Sequence, residues 1–175
     1  GVAGFLGSHL AERMLNIGHE VLGNDNLIGG DIENVNKKIK FFKTDCNDLE
    51  GMVKITKNCD VVYHCAATAH EGLSVFSPHI ITNNIFQASV SVITAAVKNN
   101  VKRFVYCSSM ARYGGQKPPF TEEMNPSPED PYGVAKVAGE NILKILADLN
   151  NMEWNIAVPH NIIGPNQKYD DPFRN

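Results

Sequence analysis

The sequence lacks a strong excess of either charge, and this absence removes several classes of partner. Its 16 lysines and arginines against 19 aspartates and glutamates leave a formal net charge of -3. The basic residues are scattered, and the one compact cluster, residues 37–40 (KKIK), is typical of a solvated face. Nucleic acids and anionic membranes attract concentrated positive charge, so we expect neither as a partner. No continuous apolar run approaches the length of a membrane span, and no segment resembles a signal peptide.

Clustered metal ligands are also lacking. The cysteines are isolated and lie in or near strand-like segments, and the six histidines are dispersed without metal-ligand spacing. We therefore expect no metal site, and we interpret the cysteines as buried, reduced thiols. Reduced thiols are typical of the cytoplasm, so we expect a soluble cytoplasmic protein. The four cysteines are Cys46, Cys59, Cys65 and Cys107.

What the sequence does contain is an alternation of short apolar runs and longer helical patterns. Helical periodicity predicts helices over residues 5–17, 49–57 and 78–99, and a further helix from about Tyr132. Predicted strands cover residues 20–25, 39–45, 60–67, 103–109 and 154–162. This alternation predicts an α/β fold with a doubly wound parallel sheet. The sequence has no internal repeat and no interdomain linker, so we expect residues 1–175 to form one domain.

Three glycines at the start of the chain have the spacing of a phosphate-binding turn. Gly1, Gly4 and Gly7 open the first predicted helix, whose N-terminal N–H groups and dipole favour a pyrophosphate. The next strand ends in Asp25, about 20 residues onward, where a dinucleotide-binding Rossmann fold has its ribose-binding acid. A carboxylate there would repel a 2′-phosphate, so NAD is favoured over NADP. The alternative is that Asp25 is an ordinary strand-end turn residue.

No strand precedes these glycines, although a phosphate-binding turn normally follows a buried strand. In a doubly wound sheet of order 3-2-1-4-5-6, the first strand lies in the middle. We therefore expect a slot between strands 20–25 and 60–67, and we interpret the sequence as an interior piece of a longer protein. An intact, small flavodoxin-like binding domain is the alternative, and it would require a complete first strand.

Two further segments carry residues suited to acid–base chemistry. Ser109 ends a predicted buried strand, at the edge of the sheet where open α/β folds bind their ligands. Tyr132 and Lys136 are four residues apart near a helix start, and therefore share one face. A tyrosine needs about 4 kcal/mol of anion stabilisation to act as a base near neutral pH, and an ammonium at about 4 Å supplies roughly that amount. We therefore expect Lys136 to lower the pKa of Tyr132. The alternative is a packed tyrosine beside a surface lysine.

These segments together resemble the extended short-chain dehydrogenase/reductases, and more narrowly the NAD-dependent epimerase/dehydratase family of nucleotide-sugar enzymes. The resemblance covers residues 1–167 and rests on GVAGFLGSHL, DNLIGG, YHCAA, SSMARYG, PYGVAK and PHNIIGP. It implies a partial Rossmann domain with NAD as cofactor and a nucleotide sugar as substrate. It also implies a smaller C-terminal sugar-nucleotide domain that lies outside this sequence, without which we expect residues 1–175 to be inactive.

The resemblance implies a role for each matching residue. Tyr132 is the expected base, Lys136 its electrostatic partner and ribose ligand, and Ser109 the hydroxyl that polarises the substrate. Asn161 is expected to approach the sugar diphosphate with Ser109 and Tyr132. The alternative for His160 is a packed strand-end histidine, and Asn84 fits the family pattern almost as well as Asn83. The expected dinucleotide contacts are Gly1, Gly4, Phe5, Leu6, Gly7, Asp25, Asn26, Asp45, Cys46, Cys65, Ala66, Ala67, Asn83, Lys136 and His160.

Departures from the family pattern favour one reaction, 4-epimerisation of the UDP-glucose 4-epimerase type. The 4,6-dehydratases carry Asp-Glu where Met110 and Ala111 stand here, and the decarboxylases usually carry Glu at the second position. Neither Met nor Ala transfers a proton, whereas epimerisation at C4 needs no further acid or base. Val158 and the pair Gln87-Ala88 replace the usual Arg and Gly-Thr, which leaves a divergent subfamily with another sugar or outcome open.

Two further expectations concern whether the protein is an enzyme and whether it forms a homodimer. A non-catalytic NAD-binding module is the competing class, but such a protein would be expected to lose one of Ser109, Tyr132 and Lys136. The resemblance also implies a homodimer formed by the helices that begin near Pro78 and Tyr132. Apolar positions on these helices suit a dimer and suit packing on the sheet equally well; they are Ile81, Ile85, Val92, Ala138, Ile142 and Leu146.

Overall fold

Parallel strands and helices alternate along residues 1–167, the part of the chain that this computed structural model describes. The strands are β1 (Leu22–Asp25), β2 (Lys40–Lys43), β3 (Val61–His64), β4 (Arg103–Cys107) and β5 (Glu153–Ala157). The helices are α1 (Phe5–Asn16), α2 (Leu49–Ile55), α3 (Glu71–Ser74), α4 (Pro78–Thr82), α5 (Ala88–Lys98) and α6 (Pro131–Leu149). A π-helical turn, Asn83–Gln87, joins α4 to α5, and 3-10 turns lie at Ile32–Asn34 and Met110–Tyr113. The predicted α/β fold with parallel strands is confirmed.

The strands form two sheets, separated by the slot that the sequence predicted between strands 20–25 and 60–67. β1 pairs with β2, and β4 lies between β3 and β5, all in parallel register. The opening residues bridge the carboxyl ends of β1 and β3: the N–H groups of Gly1 and Val2 donate to the Asn24 carbonyl at 2.6 and 3.1 Å. A Cβ on Gly1 would come within 2.7 Å of the Ala66 nitrogen, just beyond β3. This contact holds the two sheets together at the edge where ligands bind in such folds.

Elements are shorter or more divided than the sequence patterns predicted. The last strand ends at Ala157 rather than at residue 162, because Pro159 has no N–H to continue the ladder. Beyond the strand, the Ser108 N–H donates to the Ala157 carbonyl at 2.8 Å and the Met110 N–H to the Pro159 carbonyl at 3.4 Å. The helix predicted over residues 78–99 is interrupted by the π-helical turn, which the hydrophobic period did not reveal.

The core lies against one face of the three-stranded sheet. Phe104 and Tyr106 of β4 are fully buried, with Ile93 of α5 and Leu143 of α6 in the same apolar cluster. Each such side chain contributes about 1.5–3 kcal/mol of burial free energy. A Cβ on Gly139 would lie 2.4 Å from the Tyr106 hydroxyl, so only glycine lets α6 approach the sheet this closely. That approach sets the position of the N-terminal turn of α6.

The helical segment Pro78–Lys98 corrects one reading of the sequence. It has 21 residues and an 18-residue window with a mean hydropathy of 1.4, so it is long and apolar enough to cross a membrane by length and composition alone. Asn, Gln, Ser and Thr residues interrupt its apolar residues, so the segment does not stand out in the sequence as a continuous apolar run. Half of the segment is buried inside the molecule, and Val92, Ile93 and Ala96 belong to the core cluster described above. Its hydrophobicity is therefore used for packing on the sheet.

A buried histidine gives the fold a specific acid sensitivity. His64 of β3 is enclosed next to Phe104 and Tyr106, with Nε2 at 3.1 Å from the Ser89 Oγ. Burial lowers the pKa of His64 to about 3, and the positive charge of Lys136 contributes. The unfolded chain, with an ordinary histidine pKa of about 6.5, binds this proton at higher pH than the folded chain. We expect the free energy of unfolding to fall by about 1.4 kcal/mol per pH unit from this group as the pH drops from 6.5 towards 3.

The contribution of His64 is measured by urea denaturation of the protein at about pH 7 and about pH 5. His64→Gln keeps a polar side chain near Ser89 but does not titrate, so its loss of stability between the two pH values is expected to be smaller. His79→Gln, at an exposed position on α4, is the matched control and should keep the steep dependence. Equal pH slopes for His64→Gln and the unchanged protein would contradict the assignment.

Candidate active site

A groove of about 990 Å³ runs along the carboxyl ends of the strands, and it collects nearly all of the residues that the sequence singled out. It extends from the N-terminus of α1, past the ends of β1, β2, β3 and β4, to the loop after β5. The expected site residues that line it are Gly1, Gly4, Phe5, Leu6, Gly7, Asp25, Asn26, Asp45, Cys46, Cys65, Ala66, Ala67, Ser109, Tyr132, Lys136, His160 and Asn161.

The glycines form a close backbone turn at the N-terminus of α1. A Cβ on Gly7 would lie 2.0 Å from the Gly1 carbonyl oxygen, so the first turn of the helix packs against the opening backbone only because Gly7 has no side chain. Gly4 is the N-cap and contributes no side-chain cap. The N–H groups of a first helical turn have no acceptor within the helix, and here they line the groove. This end of the groove fits a pyrophosphate.

Carboxylates lie beyond β1 and β2, at the end of the groove expected to hold adenosine. Asp25 is buried; its Oδ2 accepts from the Ala3 N–H at 3.0 Å and its Oδ1 from the Leu27 N–H at 2.8 Å. Asn26 Nδ2 donates to Asp45 Oδ2 at 2.7 Å. Burial raises the pKa of Asp45, but hydrogen bonds from Asn47 and Asn26 outweigh it and leave the pKa below its ordinary value. Negative charge here disfavours a 2′-phosphate and fits NAD.

The structure brings Ser109 and Tyr132 together at the other end of the groove. Ser109 caps the turn Met110–Tyr113, and its Oγ accepts from the Ala111 N–H at 3.2 Å. Tyr132 lies in the first turn of α6, where the Asp130 side chain caps the helix by accepting from the Gly133 N–H at 2.9 Å. The two caps direct both side chains into the groove, where Ser109 lies close enough to Tyr132 to lower the pKa of its hydroxyl.

Lys136 lies one helical turn beyond Tyr132, beneath the floor of the groove. Its Nζ donates to the Cys107 carbonyl at 2.7 Å and lies 5.9 Å from the centre of the Tyr132 ring. The side chain is almost fully enclosed. Burial lowers the pKa of Lys136 to about 8, although Cys107, Cys65 and Glu140 act in the opposite direction. Its charge is therefore sensitive to small changes around it.

The structure does not show the expected lowering of the Tyr132 pKa by Lys136. Burial raises the pKa of Tyr132 above its ordinary value; the bond to Ser109 lowers it, and Glu71 and Asp130 raise it further. The physical reason is that the cost of desolvating the phenolate outweighs the attraction of the Lys136 ammonium. That ammonium is itself partly desolvated and is turned towards the Cys107 carbonyl. Ser109, rather than Lys136, is the group that favours the phenolate here.

One expected dinucleotide contact is displaced by a single residue. Asn84 lines the groove and its Nδ2 donates to the Thr68 Oγ1 at 3.1 Å, whereas Asn83 is exposed and lies outside the groove. The two residues sit in the π-helical turn, whose wider winding changes which side chain faces the sheet. Of the two positions that the sequence left open, Asn84 is therefore the one that lines the groove.

His160 and Asn161 line the far wall of the groove, after β5. Both are exposed, so the alternative of a packed strand-end histidine is wrong. The Asn161 N–H donates to His160 Nδ1 at 2.8 Å, which leaves Nε2 to carry the ring proton of the neutral imidazole. Phe5 contacts His9 edge-to-face with ring centroids 5.5 Å apart, and the His9 ring bonds the Pro165 carbonyl at 2.8 Å. These contacts tie the loop after β5 to α1.

A buried ion pair beneath the site was missed by the sequence analysis. Glu140 of α6 is 0% exposed; it accepts a hydrogen bond from Ser108 Oγ, and its Oε2 lies 3.2 Å from Arg112 Nη2. This Arg112 contact meets the distance of an ion pair but not the angles of a hydrogen bond. The signal in the sequence was the spacing of Tyr132, Lys136 and Glu140, which four-residue steps put on one helix face. The pair links α6 to the turn that carries Ser109.

Comparison with known proteins gives consistent matches along the chain. The sequence profile of the NAD dependent epimerase/dehydratase family matches residues 1–174. A UDP-glucose 4-epimerase from Mycolicibacterium smegmatis is 34% identical over 176 residues, which cover 95% of this chain and 56% of that protein. Solved structures of UDP-glucose 4-epimerases from Thermotoga maritima, with UDP-glucose, and from Thermus thermophilus, with NAD, align with TM-scores of 0.92 at 31% identity. Each alignment covers 96% of this chain and 56% of the other, so the chain spans about half the length of its relatives.

Proposed function

This chain belongs to the NAD dependent epimerase/dehydratase family, and from that premise we propose that the protein containing it is an NAD-dependent nucleotide-sugar 4-epimerase. One observation carries the proposal. Ser109 and Tyr132 line the same groove as the glycine turn, and Ser109 lowers the pKa of Tyr132, while the two residues after Ser109, Met110 and Ala111, have side chains that transfer no proton.

The described residues fit NAD along the length of the groove. The turn at Gly1, Gly4 and Gly7 would hold the pyrophosphate, and Asp25 would accept hydrogen bonds from the adenosine ribose. Lys136 would reach the second ribose from the floor, with His160 and Asn84 on the walls. NAD, when bound, supplies a reversible hydride acceptor for the carbon that is oxidised.

The residues of the chain account for the proton transfers that 4-epimerisation needs. Tyr132 would take the proton of the C4 hydroxyl as that carbon is oxidised, and would return it when the 4-keto sugar is reduced on its other face. Ser109 would hydrogen-bond the same substrate oxygen, and it favours the phenolate form from which Tyr132 accepts the proton. Positioned groups of this kind contribute about 10²–10⁴-fold to the rate. Lys136 keeps positive charge next to this proton path.

Dehydration and decarboxylation are the alternative reactions, and the site is poorly equipped for them. Elimination of water from the sugar needs an acid for the leaving hydroxyl and a base for the neighbouring carbon. Met110 and Ala111 follow Ser109 on the groove wall, at the positions from which such groups would reach the sugar, and neither titrates. A non-catalytic NAD-binding role is disfavoured because Ser109, Tyr132 and Lys136 are all present and converge.

The reaction is tested by incubating the full-length protein with UDP-glucose and NAD in deuterated water. We expect the C4 epimer to form without deuterium, because the hydride leaves and returns without exchanging with solvent. Deuterium at C5 or C6 and a 4-keto-6-deoxy product would identify a dehydratase and contradict the proposal. If UDP-glucose is not converted, the same assay with UDP-linked N-acetylglucosamine and pentose tests whether another nucleotide sugar is the substrate.

We further propose that the protein is cytoplasmic. We also propose that it forms a homodimer through α4 and α6. Ile81, Ile85 and Val92 are buried in the chain's own core and are excluded from such an interface. A second copy is favoured because exposed apolar side chains on these helices adjoin a shallow apolar groove between them, formed in part by Phe86 and Ala138. The exposed side chains are Ile80, Val134, Ile145 and Leu149. A monomer in sedimentation equilibrium of the full-length protein would contradict the dimer.

A further inference from the structure

Two cysteines meet on the wall of the groove. His64 and Tyr106 are register partners in the parallel pair of β3 and β4, and they are followed by Cys65, just after β3, and by Cys107, the last residue of β4. Their Sγ atoms lie 3.6 Å apart, and both residues line the groove. The other two cysteines are separate: Cys46 is buried near Asn24, and the Cys59 thiol points to the Ile55 carbonyl.

The backbone geometry of the pair allows a disulfide. Neighbouring strands lie about 4.8 Å apart, and disulfides span Cα separations of about 4.4–6.8 Å. Two residues in register on adjacent strands point to the same face of the sheet, as the contact between the two sulfur atoms requires. Closing the distance from 3.6 Å to the bond length of about 2.05 Å needs rotation of the two side chains and no rearrangement of the strands.

The surroundings favour a thiolate on one of the two sulfur atoms. The contact with Cys65 lowers the pKa of Cys107 to about 7; burial opposes this, and the charge of Lys136 supports it. The pKa of Cys65 is raised, first by its contact with Cys107 and then by burial. Lys136 Nζ bonds the Cys107 carbonyl at 2.7 Å, so the positive charge is fixed beside that residue. Cys107 is therefore the nucleophile and Cys65 the thiol that reacts second.

We propose that Cys65 and Cys107 form an oxidisable dithiol in the dinucleotide groove, which hydrogen peroxide converts to an intramolecular disulfide. The Cys107 thiolate attacks one peroxide oxygen, the O–O bond breaks, and Cys107 becomes a sulfenic acid as the other oxygen leaves as hydroxide. Cys65 then loses its proton to that hydroxide and attacks the Cys107 sulfur, which releases the second oxygen as water after protonation. In total, the two thiols lose two electrons and form one disulfide, and one hydrogen peroxide gains these electrons and becomes two water molecules.

If the groove binds NAD, as the proposed function requires, the cofactor should also slow the oxidation of Cys65 and Cys107. A dinucleotide in the groove would cover both sulfur atoms, so NAD is expected to protect the pair from oxidation. With NAD at about ten times its dissociation constant, only the unliganded fraction reacts, and the rate should fall about tenfold. Cys59, which lies outside the groove, should show no such protection.

The experiment treats the full-length protein with hydrogen peroxide, blocks the remaining thiols by alkylation, and maps the peptides by mass spectrometry. We expect a cross-link between the Cys65 and Cys107 peptides within one chain, reversed by dithiothreitol. Cys65→Ser should stop the cross-link and leave a sulfenic acid on Cys107 that a dimedone probe captures; Cys59→Ser, the matched control, should leave the cross-link unchanged.

Several results would overturn the dithiol. These are Cys65 and Cys107 remaining alkylatable when Cys59 is already oxidised, cross-links formed between chains, and a cross-link that survives in Cys65→Ser. The mapping of the unmodified protein decides the matter even if a variant fails to fold. A cross-link that forms equally fast with and without NAD would retain the dithiol but contradict NAD binding in this groove, so the two proposals fail separately.

Discussion

We expect Tyr132→Phe in the full-length protein to lower turnover of the nucleotide sugar by about 10²–10⁴-fold, with the affinity for NAD nearly unchanged. The substitution removes only the hydroxyl that we propose exchanges a proton with the substrate, next to Ser109. The ring itself packs in an apolar cluster with Ile85 and Ala135, which phenylalanine would fill equally well. The loss should therefore appear in kcat, while NAD binding measured by calorimetry and the thermal midpoint stay close to those of the unmodified protein.

Tyr113→Phe is the matched control for this change. Tyr113 is also a buried tyrosine, a few residues after Ser109, but it stacks on Phe120 with ring centroids 4.8 Å apart and lies outside the groove. Its loss of a hydroxyl should leave turnover within about twofold of the unmodified protein. Equal effects of the two substitutions, or full turnover in Tyr132→Phe, would remove Tyr132 as the base.

Most of the candidate site was predictable because it depends on topology rather than on detailed packing. The carboxyl ends of parallel strands meet at one edge of a sheet, so Asp25, Cys65 and Ser109 had to lie along that edge once their strands were recognised. Tyr132 and Lys136 followed from a four-residue step on a helix that begins at the same edge. The resemblance to a known family added the roles, and the structure brings these residues to one groove.

The features that the sequence did not reveal depend on local geometry that periodicity does not encode. A π-helical turn shifts the helix face by part of a residue, which moved the groove contact from Asn83 to Asn84. The pKa of Tyr132 depends on how deeply the ring is buried and on where the Lys136 ammonium points, and spacing gives neither. The division into two sheets, by contrast, was predicted from the sequence as a slot between strands 20–25 and 60–67.

The ion pair between Arg112 and Glu140 has the second of the two large expected effects. We expect Arg112→Met to lower the free energy of unfolding by about 3–5 kcal/mol, because it leaves the Glu140 carboxylate buried without a counter-charge. Glu140 would still accept from Ser108, but one neutral hydroxyl offsets little of the desolvation of a full charge. The measurement is urea denaturation at about pH 7 with the slope checked for two-state behaviour.

The double variant separates loss of the counter-charge from loss of packing. Glu140→Gln keeps an oxygen that accepts from Ser108 but removes the charge, so Arg112→Met combined with Glu140→Gln should be more stable than Arg112→Met alone. The exposed pair of Lys102 and Asp60, 2.7 Å apart, is the matched control, and Lys102→Met should change stability little. If the double variant is no more stable than Arg112→Met, then Arg112 acts by filling space between α6 and the Ser109 turn. In that case the charge of Glu140 is not what holds the turn in place.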